Sequence, residues 1–210
     1  PKLLPRLRAD LDVMPSPSPE HPGLLLRDPY QYTDAILVIP PGLIPALQFL
    51  DGEKTESDLL EFLSKQFGED VPSELVPHLV GTLQSQGFLQ TAEYDRMKAE
   101  RHAAFRDLAE RQPAHSGSAY PDKPEALRTE FGKYFKAAPK RADENGLIGI
   151  AAPHVSPIGG WRSYAAAYAH LSGSQDHRTY VVLGTSHYGT PEKFGLTRKP
   201  FVTPYGKLDV

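Results

Sequence analysis

Two histidines in this sequence follow apolar runs, and each stands where a buried strand would end. His154 comes after the run 147–152 and one proline, and His187 comes after the run 180–183 and three small residues. A neutral imidazole binds Fe(II), copper or zinc through a ring nitrogen. The matched positions therefore predict a shared metal site, provided that the two runs are neighbouring strands.

A second interpretation stays open beside the metal site. A histidine that follows a strand often hydrogen-bonds the backbone of its loop and binds no ligand, and both histidines can do this independently. Ser186 precedes His187, but adjacent side chains on a loop rarely face each other, so a serine nucleophile with its base is not indicated. The segment "IGGWRS" lacks the glycine spacing of a nucleotide-binding loop. Arg162 within it is expected to be a surface residue.

The elements that must position the histidines alternate between helix and strand. After Pro113 the pattern predicts a helix from Pro124, a strand at 147–152, a Gly-Gly loop with a helix near 162–171, and a strand at 179–183. This order is typical of a parallel α/β sheet. Because a strand, a crossover helix and a second strand form a right-handed unit, both strands would end at one edge of the sheet, where ligands bind.

The preceding part of the chain predicts a small α+β module at residues 23–90. "LLLRD" and "AILVIP" are strand candidates, and "PGLIPALQFLDG" predicts a short helix. Thr55 and Asp58 have capping-box spacing before a second helix, whereas Ser73 is expected to cap a third that Gly87 ends. Residues 1–22, rich in proline, are expected to form an irregular arm.

The remaining domain boundaries follow from charge. The strongly charged segment 91–112 predicts a connecting helix, and residues 113–210 are assigned to the α/β domain.

Composition narrows the functional classes. The 210 residues are 40% hydrophobic and 23% charged, with a net charge of −3, which is typical of a globular protein and not of a dedicated nucleic-acid binder. No run approaches ~18 apolar residues, so no membrane span is expected. The absence of cysteine excludes a thiolate metal site within this chain. We expect a cytoplasmic protein without nucleic-acid or membrane partners.

Four sequence blocks, in order, resemble the Memo family, known in prokaryotes as protein B of the AmmeMemoRadiSam system. "HSGSAYPDKPEALRTEF" is similar to its opening loop and helix, and "IAAPHVSPIGGWRSYAAAYAHL" to its Ala-Pro-His block. "VVLGTSHYG" is similar to its Leu-Gly-Pro-Ser-His block, and "FVTPYGKLDV" to its Thr-Pro-Leu-Gly segment. The resemblance covers about 115–210 and corresponds to the N-terminal half of that family.

The resemblance implies a fold similar to class III extradiol dioxygenases, with a metal-binding pocket. It makes His154 and His187 two metal ligands, with Fe(II) favoured and copper or zinc as alternatives. His115, Ser186 and Tyr188 are further pocket candidates. The family's other ligands, a histidine and a cysteine, lie beyond the fourth block, so we expect this chain to be a fragment. A dioxygenase-like redox enzyme is the first functional hypothesis.

The module at 23–90 resembles winged-helix peptide-recognition domains typified by the PQQ-biosynthesis chaperone, through "DGEKTESDLLEFL" and "LQSQGFL". Such domains add a peptide to a sheet edge, which implies a peptide or protein partner. An accessory or dimerisation module is the competing interpretation. For the whole chain, the alternative to an enzyme is a non-catalytic binding protein that uses the pocket and this module.

Overall fold

The structure, a computed structural model, describes residues 2–68, 71–137, 147–171, 179–187, 189 and 192–210. The chain divides into two compact units, Pro1–Asp107 and Leu108–Val210. Helices and strands occur together, as the predicted α/β class requires. Across the described residues, no helix is both long enough and apolar enough to cross a membrane.

The first unit is built on a three-stranded antiparallel sheet in the order β1-β2-β3. Its strands are β1 (Asp12–Pro15), β2 (Leu24–Arg27) and β3 (Ile36–Ile39). Leu26 pairs with Leu37 across the sheet and is fully buried. The predicted strands "LLLRD" and "AILVIP" are therefore confirmed.

A 3₁₀ helix and three α-helices follow this sheet in the chain. The 3₁₀ helix spans Pro41–Phe49, and it is followed by α1 (Glu56–Phe67), α2 (Leu75–Ser85) and α3 (Ala92–Asp107). The core between the sheet and the helices contains thirteen buried apolar residues, among them Leu26, Leu59, Leu63, Leu83, Phe88 and Leu89.

The ends of the helices follow the predicted signals in all but one case. Thr55 accepts a hydrogen bond from the Asp58 N–H while the Asp58 carboxylate accepts from the Thr55 N–H, which is the predicted capping box. Gly87, with φ of +72°, follows the end of α2 as expected. The prediction that Ser73 caps α2 is wrong, because Ser73 lies inside a turn closed by the Leu75 N–H and the Pro72 carbonyl.

The prediction of an irregular arm at residues 1–22 is also wrong, because this segment completes the first unit. It supplies β1, and Leu4 is 1% exposed within the core. The Leu4 N–H donates to the Lys54 carbonyl, and the Arg8 N–H donates to the Phe88 carbonyl. Prolines exclude a helix here but are tolerated in an edge strand, and Pro15 ends β1.

Buried Arg8 joins distant parts of this unit. Its guanidinium donates two hydrogen bonds of 3.0 and 3.1 Å to the Asp28 carboxylate and another to the Gly87 carbonyl. The same group lies 4.2 Å from the ring centroid of Tyr94 on α3. The segment 91–112, predicted to connect two domains, thus forms a helix up to Asp107 that packs on the first unit.

The second unit contains two helices and a hairpin in its described part. The helices are α4 (Pro124–Lys136) and α5 (Pro157–Tyr168), and the hairpin strands are β4 (Phe201–Thr203) and β5 (Gly206–Leu208). The helix predicted from Pro124 is confirmed. The predicted Gly-Gly loop is wrong, because both glycines lie within α5.

The parallel sheet predicted at 147–152 and 179–183 is not formed by the described residues. Both segments lack strand pairing, and most of their apolar side chains are exposed; Ile148 is fully exposed and Val182 is 87% exposed. A strand requires a hydrogen-bonded neighbour as well as apolar side chains. The prediction used the side-chain pattern alone and is wrong for these segments.

Candidate functional site

The structure brings His154 and His187 together, although neither follows a strand. Their ring centroids are 5.0 Å apart, and the ring planes are inclined by 45°. Both residues are exposed, so solvent and small ions reach them. The pairing joins residues 33 positions apart in the sequence and does not follow from local geometry.

The separation of the two rings suits a shared metal ion. A metal ion about 2.1 Å from an imidazole nitrogen lies about 3.2 Å from the ring centroid. Two centroids 5.0 Å apart then subtend about 100° at the ion, between the octahedral and tetrahedral values. The centroid separation is therefore compatible with two imidazole ligands on one metal ion.

Further ligands are not grouped around this pair in the part of the chain that the structure describes. No cluster of three or more histidine, cysteine, aspartate or glutamate residues that could hold a metal occurs there. The described residues thus offer two nitrogen ligands, and the other coordination positions would fall to water or to groups outside this set.

The turn that carries His154 is fixed by α5. The Ser156 hydroxyl accepts a hydrogen bond from the Gly159 N–H at 3.4 Å and caps the helix, with Pro157 in its first turn. The Tyr164 hydroxyl donates a hydrogen bond of 2.8 Å to the carbonyl of Val155, the residue after His154. His154 therefore stands two residues before the cap of a helix that holds its turn in place.

Gly160 allows this turn to lie directly on α5. A Cβ atom at Gly160 would lie 2.6 Å from Cγ2 of Val155 and 3.3 Å from Cγ of Pro153. Alanine at this position would require the side chains of Val155 and Pro153, which belong to the turn, to shift. The second glycine of "IGGWRS", which the sequence suggested for a loop, is instead a contact position beneath the His154 turn.

Beside His187, Ser186 lies close to Gly189. A Cβ atom at Gly189 would lie 2.5 Å from the Oγ atom of Ser186, so the serine hydroxyl occupies the space that a larger residue would need. Ser186 is exposed beside His187. Tyr188, the other pocket candidate in this block, lies outside the described residues.

His115 is an exposed residue in a separate turn. Its carbonyl accepts hydrogen bonds from the Ala119 N–H and the Ser118 hydroxyl, at 2.9 and 3.1 Å. His115 thus has a visible role in shaping its loop, and its assignment to the pocket stays a prediction.

An apolar cavity of about 560 Å³ lies within the second unit, between α4, α5 and the β4–β5 hairpin. Its wall is largely aromatic and includes Tyr120, Phe131, Tyr134, Tyr164, Tyr168 and Tyr205. Sequence reasoning did not identify it. The signals were present: aromatic residues recur at helical spacing on α4, and two tyrosines stand four residues apart on α5.

One phenol of the cavity wall has a carboxylate partner. The Tyr134 hydroxyl donates a 2.8 Å hydrogen bond to Glu130, which raises the pKa of Tyr134. Two hydrogen bonds lower the pKa of Glu130; the bond from Lys133 has the larger effect and the bond from Tyr134 the smaller. The Tyr134 ring also stacks on Trp161 of α5, with centroids 5.6 Å apart. This stacking packs α4 against α5, the helix that positions the His154 turn.

Comparison with known proteins finds similarity to one family of proteins. The profile of the family described as Memo-like protein matches residues 111–210. A MEMO1 family protein of Aquifex aeolicus is 26% identical over 187 residues, which cover 89% of this chain and 48% of that protein. MEMO1 family proteins of Methanosarcina mazei and Methanosarcina acetivorans are 32% and 34% identical over 100 residues, which cover 48% of this chain and 36% of each relative. No solved structure matches.

The matches differ in extent. The chain spans about half the length of the Aquifex protein and about a third of the Methanosarcina proteins. Because 187 aligned residues exceed the 100 of the family match, the likeness to the Aquifex protein extends into the first unit. The blocks that contain His154 and His187 lie inside the family match, so over residues 111–210 the chain is similar to the Memo-like proteins.

Proposed function

We propose that the second unit contributes to a metal-supported pocket in which His154 and His187 are two ligands of one divalent metal ion. Fe(II) is the favoured metal, with copper or zinc as alternatives. The observation that carries the proposal is the 5.0 Å separation of the two imidazole rings. The Memo-like match supports it, because both histidines belong to blocks that resemble the family's metal-site blocks.

The proposed activity is that of a dioxygenase-like redox enzyme. Bound Fe(II) would supply Lewis-acid and one-electron chemistry. The residues of this chain would hold the metal through two neutral imidazoles, and α5 would keep the His154 turn in place. The aromatic cavity beside α5 would hold apolar groups away from water.

The alternative is a non-catalytic protein that binds a peptide or protein partner. It is favoured by the cavity wall, because the described residues that line it are apolar or phenolic apart from Thr203, and none of them carries a carboxylate, ammonium, guanidinium or imidazole group. In the first unit, β1 and β3 each have one hydrogen-bonded neighbour among the described strands. A winged-helix-like module could add a peptide at either edge.

The test is an anaerobic Fe(II) titration, repeated with zinc, of the chain and of the variants His154→Ala and His187→Ala. Each variant should lower the affinity by at least ~10-fold, since two shared ligands are reduced to one. His78→Ala, at an exposed residue of the first unit, is the matched control and should leave the affinity unchanged. Binding should also weaken below pH ~6.5, because protonated imidazole cannot bind a metal.

Equal affinities in all three variants would overturn the metal proposal. If the chain then bound an apolar fluorescent probe, and Tyr168→Ala in the cavity wall weakened the probe, the binding-protein alternative would be favoured. The cytoplasmic location and the absence of a nucleic-acid partner stay predictions from composition.

A further inference from the structure

The hydroxyl of Tyr164 connects the second half of α5 to the turn that precedes the helix. It donates to the Val155 carbonyl, nine residues back, at 2.8 Å. Formation of the helix does not require this bond, because Ser156 already caps its first turn. The bond instead fixes the orientation of the peptide group next to His154.

Two other observations show that this contact is closely fitted. The Tyr164 ring lies 3.2 Å from the position that a Cβ atom of Gly160 would occupy, on the side where Val155 also approaches. The ring of Tyr164 forms part of the wall of the aromatic cavity. The ring therefore packs beside Gly160 in the cavity wall, and its hydroxyl donates to the Val155 carbonyl.

We propose that Tyr164 is a positioning residue for the histidine pair: by holding the Val155 carbonyl, it keeps the His154 ring within reach of His187. This positioning role rests on the proposed function, because a fixed separation of 5.0 Å between the two ring centroids is useful when both rings bind one metal ion. A preorganised pair of ligands binds a metal more tightly than the same pair on a loose turn.

The test uses the chain with Tyr164→Phe, which removes the hydroxyl and keeps the ring in the cavity wall. The matched control is Tyr168→Phe, one helical turn further along α5, with its ring 6.4 Å from that of Tyr164. Nuclear Overhauser contacts between the His154 and His187 ring protons report the pairing in metal-free protein. A zinc titration reports its consequence.

In Tyr164→Phe we expect weakened ring contacts and a zinc affinity reduced about threefold to tenfold, the usual effect of losing one hydrogen bond. Tyr168→Phe should resemble the unmodified chain in both measurements. Gly160→Ala displaces the same turn by a different contact and should reproduce the Tyr164→Phe result. The helical signal in circular dichroism should be unchanged in Tyr164→Phe.

The outcomes separate this proposal from the metal proposal. Ring contacts that depend on Tyr164 in a chain that binds no zinc would support positioning and overturn the metal site. Ring contacts and zinc affinity that are equal in Tyr164→Phe and Tyr168→Phe would overturn positioning. It would also be overturned if the unmodified chain showed no ring contact, or if Tyr164→Phe lost helix, because the role would then be structural.

Discussion

The two units of this chain bury apolar side chains to very different extents. Thirteen hydrophobic residues are buried in the first unit, whereas Leu127 and Ala165 are the two buried ones in the described part of the second. The second unit is nevertheless rich in apolar runs. Val181, Val182 and Leu183 are consecutive, and each is more than 80% exposed.

The difference shows that an apolar run is buried only where the fold supplies a partner for it. In the first unit, strands β2 and β3 are neighbours in sequence and pair directly. Their leucines pack in the core of the same unit. In the second unit, the run 180–183 has no hydrogen-bonded neighbour among the described residues. Antiparallel strands that are neighbours in sequence need only a short connection to pair and be buried. A run such as 180–183 is buried only when a strand that is distant in sequence pairs with it.

The largest expected effect is a loss of the first unit's core. Phe88→Ala should reduce the free energy of unfolding by about 3–5 kcal/mol, because a fully buried aromatic ring is replaced by a cavity. Denaturant unfolding followed by circular dichroism measures this loss. Phe194→Ala, at a residue 93% exposed in the second unit, is the control and should change stability by less than about 0.5 kcal/mol. Similar losses in both variants would remove the contrast between the units.

The buried ion pair of the first unit predicts a pH dependence. Burial raises the pKa of Asp28, but the hydrogen bonds and charge of Arg8, with the backbone N–H groups of Tyr30 and Thr33, outweigh burial and lower it. A lowered folded-state pKa gives stability that is present above the unfolded value near ~4 and is lost as pH falls through the folded value.

Acidification from pH 5 towards 2 should therefore remove about 1.5–3 kcal/mol of unfolding free energy at this pair. The measurement is denaturant unfolding as a function of pH. Asp28→Asn should flatten this part of the curve, whereas Asp122→Asn, in an exposed pair with Lys123, should leave it unchanged. An identical acid limb in Asp28→Asn would mean that the pair does not contribute.

A smaller effect is expected at the start of α1. Thr55→Ala removes the side-chain half of the capping box and should reduce unfolding free energy by about 1 kcal/mol. Thr55→Ser keeps a hydroxyl acceptor and should recover most of this loss. Thermal unfolding of the three chains provides the measurement, and equal stability of all three would show that the cap is not formed.

The smallest effect is expected in the exposed run of the second unit. Val182→Ser should change the free energy of unfolding by less than about 0.5 kcal/mol, because the side chain is 87% exposed. This variant tests whether the apolar run of the second unit is unburied, in contrast with the buried core of the first unit. A loss above about 1 kcal/mol in denaturant unfolding would mean that residues 180–183 are buried in solution, as the strand prediction required.

Local signals predicted the first unit well. The strands β2 and β3, the Thr55 capping box and the glycine after α2 depend on a few adjacent residues, so the sequence displays them directly. Long-range contacts were missed. The bond between Arg8 and the Gly87 carbonyl spans 79 residues, and the pairing that makes β1 a strand depends on β2.

The candidate site was predicted for a partly wrong reason. His154 and His187 were paired because parallel strands were expected to bring them to one sheet edge, yet the described residues bring them together without those strands. The turn before α5 positions His154, and Ser186 lies close to Gly189 beside His187. Side-chain contacts such as that of Tyr164 with Val155 depend on helix register and turn geometry, which the sequence pattern does not reveal.

The most direct test of the account is the number of imidazole ligands on the bound metal. X-ray absorption spectroscopy of the iron- or zinc-loaded chain counts nitrogen ligands from imidazole rings at about 2.0–2.1 Å. Two imidazoles are predicted for the unmodified chain, and one for each of His154→Ala and His187→Ala. The same imidazole count in the unmodified chain and in both variants would contradict the claim that these two histidines share one metal ion.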